Sequence, residues 1–164
     1  MVLRRMDMAD VDDLIGIFSD PVAMRYYPAT KSRAEAEEWV RRTLRSYRDH
    51  GFGQWVATLK ESEEFAGQCG LTVQEVEGEK EVEIGYLFLR KFWGRGLATE
   101  AARTVRDHGF ALGYRRLISL IDPENLASRR VAEKNDLTLE REVAKWGKKV
   151  CVYSVSRDEV DSIV

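Results

Sequence analysis

Cysteine and histidine are scarce in this chain, with two of each among 164 residues. Cys69 and Cys151 lie in apolar runs typical of strands, which predicts buried, reduced thiols rather than metal ligands. His50 and His108 are far apart and have no cysteine or carboxylate at ligand spacing, so we expect no metal site. No set of serine, cysteine and histidine suggests an acyl-enzyme.

Long apolar runs and an excess of either charge are also missing. No stretch approaches the roughly 20 apolar residues that a membrane span needs, and residues 1–7 lack the apolar core of a signal peptide. The 26 basic and 28 acidic residues give a formal net charge of -2, so no basic face for nucleic acid is required. We therefore expect a cytoplasmic protein with neither a membrane nor a nucleic-acid partner.

The chain does have enough apolar sequence for one core, because 44% of its residues are hydrophobic. Its length is usual for one domain, which we expect to cover residues 1–164. After a short first strand, Asp7 precedes apolar residues at helical spacing that extend to Phe18. A brief helical turn is expected after Asp20, and Ser32 with Glu35 forms the capping box of a second helix.

Strand-like segments follow, and three of them are separated only by charged turns, which predicts an antiparallel meander. The pattern then changes to a helix from about Leu97, a strand, a helix from about Asn125 and two closing strands. We therefore predict a mixed, mostly antiparallel seven-stranded sheet flanked by helices, an α/β arrangement of the α+β kind. The predicted strands after the first are 55–59, 65–73, 82–89, 117–121, 139–143 and 150–155.

A glycine-containing junction, Lys91-Phe92-Trp93-Gly94-Arg95-Gly96, lies between a strand and the helix that begins near Leu97. The N–H groups at a helix start lack partners and glycine lets a ligand approach them, so the junction suits a phosphate. Its spacing is neither G-x-G-x-x-G nor that of a P-loop. On local grounds, a glycine turn without function is the alternative.

Two further positions have residue types suited to chemistry. Glu83 is charged within an otherwise apolar strand, and is either a general base, directly or through a water, or a solvent-facing residue. Asn125 follows the turn Asp122-Pro123-Glu124 and is suited to cap the next helix.

The junction resembles the pyrophosphate-binding loop of the GNAT superfamily of N-acetyltransferases, written Gln/Arg-x-x-Gly-x-Gly/Ala. Lys91, Gly94 and Gly96 occupy its three positions, and lysine at the first is a departure. Other segments extend the resemblance over nearly the full chain, and together they look like the RimJ/RimL-type subgroup. These segments are 3–4, 20–27, 65–71, 83–86 and 125–134.

The resemblance implies the GNAT fold, with a sheet splayed between its fourth and fifth strands, and acetyl-CoA as co-substrate without a metal. Amides of the loop and helix start would hold the pyrophosphate, the strand before them would line the pantetheine, and a backbone N–H near Leu87 would stabilise the thioester oxygen. The implied cofactor-binding residues are Leu87, Phe88, Leu89, Gly94, Arg95, Gly96, Leu97, Ala98, Thr99, Asn125 and Ser128.

The catalytic residues implied by the resemblance are Glu83 as base and Ser128 as acid. Many family members have a tyrosine seven residues after the asparagine to protonate the leaving thiolate, but Ala132 stands there in this chain. In RimJ/RimL-like members the serine at the position of Ser128 is the proposed acid. Tyr153 or water are the alternatives.

The implied reaction is direct transfer of acetyl to a primary amine, either a protein or peptide N-terminal α-amine or a small amine. Tyr26, Tyr27, Trp55 and Trp146 are candidates to border the acceptor, and the alternative for each, the commoner one for aromatic residues, is packing alone. A homodimer is left open.

The family usually has Gly-Phe after the second of these helices, where this chain has Asp136-Leu137, so Asn135 or Asp136 is expected in a left-handed turn. The missing tyrosine and glycine leave a non-catalytic acyl-CoA sensor as one alternative. An unrelated α/β ligand-binding domain is another.

Overall fold

One mixed sheet runs through the molecule. In the computed structural model, which describes residues 1–162, seven strands pair in the order β1-β2-β3-β4-β5-β7-β6. All neighbouring strands are antiparallel except β4 and β5, which are parallel. The predicted sheet is confirmed. Its strands are β1 (Val2–Arg5), β2 (Gln54–Thr58), β3 (Phe65–Val76), β4 (Glu79–Phe88), β5 (Arg116–Ile121), β6 (Thr138–Lys145) and β7 (Lys148–Ser156).

The helices begin and end largely where their capping residues indicate. Ser32 Oγ accepts a hydrogen bond from the N–H of Glu35 at 3.2 Å, and the Glu35 carboxylate accepts from the N–H of Ser32 at 2.7 Å. Gly51, with φ of 77°, ends the same helix. The helices are α1 (Val11–Phe18), α2 (Arg33–His50), α3 (Leu97–Ala111), α4 (Leu126–Glu133) and α5 (Arg157–Asp161), of which α5 was not predicted.

β4 packs against helical layers on both faces of the sheet, because successive side chains of a strand point to opposite sides. Ile84 and Phe88 are buried in the core that includes α3, whereas Leu87 and Leu89 pack against the core of α1 and α2. Burying one such large side chain contributes roughly 1.5–3 kcal/mol. β4 is therefore held firmly from both sides at the centre of the molecule.

The β3–β4 hairpin is longer than predicted. Its ladder runs from Gly67↔Phe88 to Val76↔Glu79 and closes through Glu77 and Gly78, whose φ values are 51° and 83°. Positive φ at both central residues is typical of a type I′ hairpin turn. A turn over residues 75–80 was predicted from their charged side chains. Hydrophobic alternation ends there because this end of the hairpin is exposed to solvent. The backbone ladder nevertheless continues.

The turn after α4 confirms the expected left-handed residue, which is Asp136 with φ of 66°. Its carboxylate pairs with the buried Arg106 of α3. Asn135 is fully buried, and its side-chain amide donates to the carbonyl oxygens of Val131 at 2.9 Å and Thr99 at 3.3 Å. These bonds tie the end of α4 to the first turn of α3.

Cys69 and Cys151 are buried free thiols, as predicted, and burial raises the pKa of each. Within residues 1–162, no three histidine, cysteine or acidic side chains are grouped as a metal site. None of the helices described has the length and apolar character needed to cross a membrane.

Candidate active site

β4 and β5 separate just beyond their one registered pair, Glu83↔Ile118. The Ser119 hydroxyl donates to the carbonyl oxygen of Ile84 at 2.8 Å, in the region where a continuous parallel ladder would have backbone bonds. A cleft of about 330 Å³ opens at this point, between β4, β5 and the helices over them. The predicted splay between the fourth and fifth strands is thus present, and it forms the candidate site.

The peptide groups of β4 alternate between facing β3 and facing the cleft. The N–H of Leu89 donates to the carbonyl oxygen of Ala66 on β3 at 2.9 Å. Alternation along the strand places the N–H of Leu87 toward β3 as well, and the N–H groups of Tyr86 and Phe88 toward the opening. The amide donors available to a thioester oxygen are therefore those of Tyr86 and Phe88, one residue on either side of the predicted position.

Glu83 lies half-buried on the wall of the cleft. Its carboxylate accepts hydrogen bonds from the Gln74 side-chain amide at 2.8 Å and from the backbone N–H of Leu120. Burial raises the pKa of Glu83 to about 7, against the opposing effect of these donors. A carboxyl group with this pKa can accept a proton near neutral pH and release it again.

Asn125 and Ser128 meet the cleft from the start of α4. The Asn125 side-chain oxygen accepts from the N–H of Ser128 at 3.1 Å, which is the capping bond that was predicted. The hydroxyl of Tyr86 donates to the carbonyl oxygen of Ser128 at 2.8 Å, and burial raises the pKa of that hydroxyl. Glu83, Asn125 and Ser128 therefore line one cleft, although Glu83 lies more than 40 positions before the other two in the chain.

Tyr153, the alternative acid, lies elsewhere. It is 1% exposed and does not line the cleft. Its hydroxyl accepts from Arg129 Nε at 2.8 Å and donates to the Glu133 carboxylate at 3.3 Å. These bonds fix Tyr153 as a core residue that supports α4.

The glycine loop presents an open helix start. Gly94 and Gly96 have φ values of 75° and 77°, and Gly96 is the N-cap of α3 without a side-chain hydrogen bond. The first intrahelical bond is donated by Glu100 to the oxygen of Gly96, so the N–H groups of the three residues before Glu100 have no partner within the helix. An exposed turn with free N–H groups at the positive end of a helix fits a pyrophosphate.

The three leucine and phenylalanine residues expected along the pantetheine are separated by the fold. Leu87 lines the cleft, but Phe88 and Leu89 do not. The Phe88 side chain is 5% exposed in the core that includes α3, so only its backbone can face the opening. The assignment of Leu87, Phe88 and Leu89 to the cofactor stays a prediction. Because side chains alternate along β4, the Leu87 side chain and the Phe88 backbone are the parts of this segment that face the cleft.

Three of the four aromatic residues expected near the acceptor do line the cleft, namely Tyr26, Tyr27 and Trp146. Trp55 does not, because it packs edge-on against His108 of α3 with ring centroids 5.3 Å apart. Trp55 therefore has the packing role that was the alternative for all four residues.

A row of polar side chains on β2 and β3 forms the cleft wall that sequence reasoning missed: Gln54, Gln68, Thr72 and Gln74. Gln68 and Gln54 are only 2% and 5% exposed. In β3 these residues alternate with apolar ones, a pattern usually taken as a solvent-facing side. The signal was present in the sequence, but only the packing of α2 over this face turns it into a cleft wall.

The sheet is splayed between β4 and β5, α3 begins at a glycine, and an ionisable carboxyl group lies beside them. This combination is typical of acetyltransferases. Residues 1–138 match the model of the acetyltransferase (GNAT) domain family, so the chain belongs to that family of acetyl-CoA-dependent enzymes.

Individual proteins are similar to the chain over most of its length. The chain is 41% identical to YkkB of Bacillus subtilis (strain 168) over 153 residues, which cover 92% of this chain and 89% of YkkB. An acetyltransferase structure from Agrobacterium tumefaciens str. C58 superimposes with a TM-score of 0.83 and 28% identity, covering 94% of this chain and 90% of that one. RimL, a ribosomal L7/L12 alpha-N-protein acetyltransferase in complex with coenzyme A, superimposes with a TM-score of 0.79 at 22% identity, covering 95% and 93%.

Proposed function

We propose that residues 1–164 form one acetyltransferase domain of the RimJ/RimL-like kind, which acetylates the α-amine of a peptide or protein N-terminus. The observation that carries the proposal is Glu83, a carboxyl group with a pKa of about 7 in the cleft where β4 and β5 part. The proposed acceptors and acetyl-CoA are both cytoplasmic, so we propose that location for the enzyme.

Glu83 acts as the general base in this proposal. Its carboxylate takes the proton of the acceptor ammonium, directly or through one water, and the freed nitrogen attacks the thioester carbonyl carbon. A C–N bond forms as the C–S bond breaks. The N–H groups of Tyr86 and Phe88 donate to the carbonyl oxygen, where negative charge develops during attack.

Ser128 donates its hydroxyl proton to the departing sulfur and regains a proton from the acylated nitrogen, which loses its second proton as the amide forms. Ser128 lies half-buried at the first turn of α4, on the cleft that also contains Glu83. Tyr86 is a positioning residue in this arrangement, because its hydroxyl donates to the backbone oxygen of Ser128 and holds the helix start against β4. The side-chain oxygen of Asn125 is taken by the cap of α4, which leaves its NH₂ group to donate to the pantetheine arm.

The energetics of proton removal favour an α-amine as the acceptor. A lysine amine with a pKa near 10.4 costs roughly 4 to 5 kcal/mol to deprotonate at pH 7, whereas an α-amine near 8 costs about 1 to 1.5 kcal/mol. A single carboxyl group with a pKa of about 7 is well matched to the smaller cost. RimL, whose structure resembles this one, is named as an alpha-N-protein acetyltransferase.

Calorimetry with acetyl-CoA, followed by free-thiol release with a panel of N-terminal peptides and small amines, tests the proposal. We expect coenzyme A binding and thiol release with peptides that have a free α-amine. Ser128→Ala should lower kcat more than it weakens coenzyme A binding. Binding without release from any acceptor would instead support a sensor, and release confined to small amines would overturn the peptide assignment.

A further inference from the structure

A second cavity of about 230 Å³ continues from the cleft along β2 and β3. The two spaces share the side chains of Trp39, Arg42, Gln54 and Thr72, so they lie directly next to each other. A small amine bound at Glu83 would leave this second space empty. The groove is therefore long enough for an acceptor that extends well beyond its reacting nitrogen.

The distance from the base to the second cavity follows from strand pairing. Thr72 is opposite Glu83 in the β3–β4 ladder, and the side-chain amide of Gln54, on β2, donates to Thr72 Oγ1 at 3.0 Å. Neighbouring strands lie about 4.8 Å apart, so this row spans about 10 Å. Two or three residues of an extended peptide cover the same length at about 3.4 Å per residue.

Arg42 lies where the two spaces meet, and it has no ion pair among residues 1–162. The nearby acidic side chains of α2 are engaged by other arginines. Glu38 pairs with Arg45 at 2.6 Å, and Asp49 pairs with Arg48 at 2.9 Å. The guanidinium of Arg42 is therefore available to a ligand.

Lys31 adds a second positive charge to the same side of the cleft. Its ammonium lies 5.9 Å from the centroid of the Trp39 ring, and it too has no ion pair within the described residues. Lys148, the third cation of the cleft, is bound to Asp122 at 2.6 Å. The Asp122 carboxylate is thus already paired, and Glu83 is about half neutral near pH 7. The acceptor side of the cleft is therefore positive.

We propose that the acceptor carries a carboxylate or phosphate within about 10 Å of its amine, and that Arg42 binds this group with help from Lys31. The inference rests on the proposed function, since it assigns the class of acceptor to the same cleft. An acidic side chain at the second or third position of a peptide meets the requirement, and so does a small phosphorylated amine. A polycationic amine is disfavoured by the same charges.

Matched acceptors test this inference directly. The tripeptide amides Ala-Glu-Ala, Ala-Gln-Ala and Ala-Lys-Ala, together with phosphoethanolamine, would be compared by thiol release at low ionic strength. We expect the highest kcat/KM with the anionic acceptors. Arg42→Gln should lower kcat/KM for Ala-Glu-Ala amide by about tenfold and change that for Ala-Gln-Ala amide by less than about twofold.

The matched control is Arg41→Gln, because Arg41 neighbours Arg42, pairs with Glu37 and lines neither cavity. Arg41→Gln should leave kcat/KM unchanged for both Ala-Glu-Ala amide and Ala-Gln-Ala amide. Equal use of the three peptides by the wild-type protein, or an equal effect of Arg42→Gln on all of them, would overturn the inference. A preference for phosphoethanolamine over Ala-Glu-Ala amide would support an anionic acceptor and would show that this acceptor is a small molecule rather than a peptide.

Direct binding separates failure of this inference from failure of the proposed function. Ala-Glu-Ala amide would be titrated into the coenzyme A-bound protein by calorimetry. Binding that Arg42→Gln weakens, without thiol release from any acceptor, would contradict the proposed function and leave the anion subsite intact. Thiol release from neutral peptides without any effect of Arg42→Gln would contradict the anion subsite and leave the proposed function intact.

Discussion

Glu83 lies where protein groups replace most of the water around its carboxyl group, which favours the neutral acid. Hydrogen bonds from Gln74 and Leu120 favour the charged form, but they do not offset the effect of burial. The resulting pKa of about 7 gives comparable amounts of acid and base near neutral pH. The same surroundings also affect the stability of the fold.

Stability should depend on pH through Glu83. In the unfolded chain the pKa of this group is near its ordinary value of 4.5, and in the folded protein it is about 7. As the pH rises through that window, the unfolded state loses its proton first, so the free energy of unfolding falls, by roughly 3 kcal/mol. Glu83→Gln removes this pH-dependent fall in the free energy of unfolding. In urea unfolding, the variant should therefore be more stable than wild type at pH 8 but not at pH 4.5.

The control for this effect is Glu79→Gln, which changes an exposed glutamate on the same strand. It should alter the free energy of unfolding by the same small amount at both values of pH. If Glu83→Gln gives the same difference from wild type at pH 4.5 and pH 8, burial does not hold the carboxyl group neutral.

At the scale of elements, the junction of β4 with α3 depends on a backbone that turns through the left-handed region. Gly96 has φ of 77°, and a Cβ atom placed on it would meet no atom within 4 Å. Glycine is needed there for its conformation rather than for space. The geometry of the free N–H groups of α3 follows from this turn.

Gly96→Ala should therefore weaken coenzyme A binding. The left-handed conformation is unfavourable for a non-glycine residue by roughly 1–2 kcal/mol. The loop backbone is therefore expected to relax, which moves the amides away from their positions around the pyrophosphate. We expect the Kd for coenzyme A to rise about tenfold in calorimetry, while the fold persists.

Gly113→Ala is the matched control, because Gly113 has φ of 97°, has open space around its Cα and lies beyond the other end of α3. It should lower the free energy of unfolding to a similar extent and leave coenzyme A binding unchanged. Equal effects of the two substitutions on the Kd would show that the turn at Gly96 has no special part in binding.

At the scale of the molecule, contacts across the cleft join its two halves. Lys148 at the start of β7 donates to the carbonyl oxygen of Tyr26 and to the Asp122 carboxylate, both at 2.6 Å. The Tyr26 hydroxyl donates to the carbonyl oxygen of Glu124 at 3.2 Å. These bonds hold the segment after α1 against the start of α4.

Lys148→Met should loosen this segment. The change removes the ammonium that joins Tyr26 to Asp122, so amide hydrogen exchange over residues 20–31 should become faster, while the core strands stay protected. Lys149→Met is the control, because Lys149 is exposed and pairs with Glu142 at 3.3 Å on the far side of β7. Unchanged exchange over 20–31 in Lys148→Met would show that the segment is held by its other contacts.

Most of the fold could be predicted from the sequence, because capping boxes, alternation and glycine turns are local signals. The box at Ser32 and Glu35 was found in this way, whereas the left-handed turn after α4 was inferred from the resemblance to the family. The site was predicted only in part. The choice between acceptor contact and packing for Trp55 could not be made from the sequence, because which face of a strand borders a cleft depends on packing between distant elements.

The polar wall of the cleft shows the same limit. Gln54, Gln68 and Thr72 have the pattern of a solvent-facing strand side, and only α2 makes that side the interior of a groove. Tyr86 is a related case, since its position on β4 was clear but its bond to Ser128 joins residues 42 positions apart. Contacts of this kind have no signal in a single sequence.

The most direct test of the account is the pH dependence of acetyl transfer in wild type and Glu83→Gln. Thiol release from acetyl-CoA with an N-terminal peptide would be followed from pH 5.5 to 9.5. Wild-type kcat/KM should rise with an apparent pKa of about 7 as Glu83 ionises. Glu83→Gln should lose this rise and fall about 100-fold at pH 7.5. Retention of the wild-type rate and profile by Glu83→Gln would contradict the assignment of Glu83 as the base.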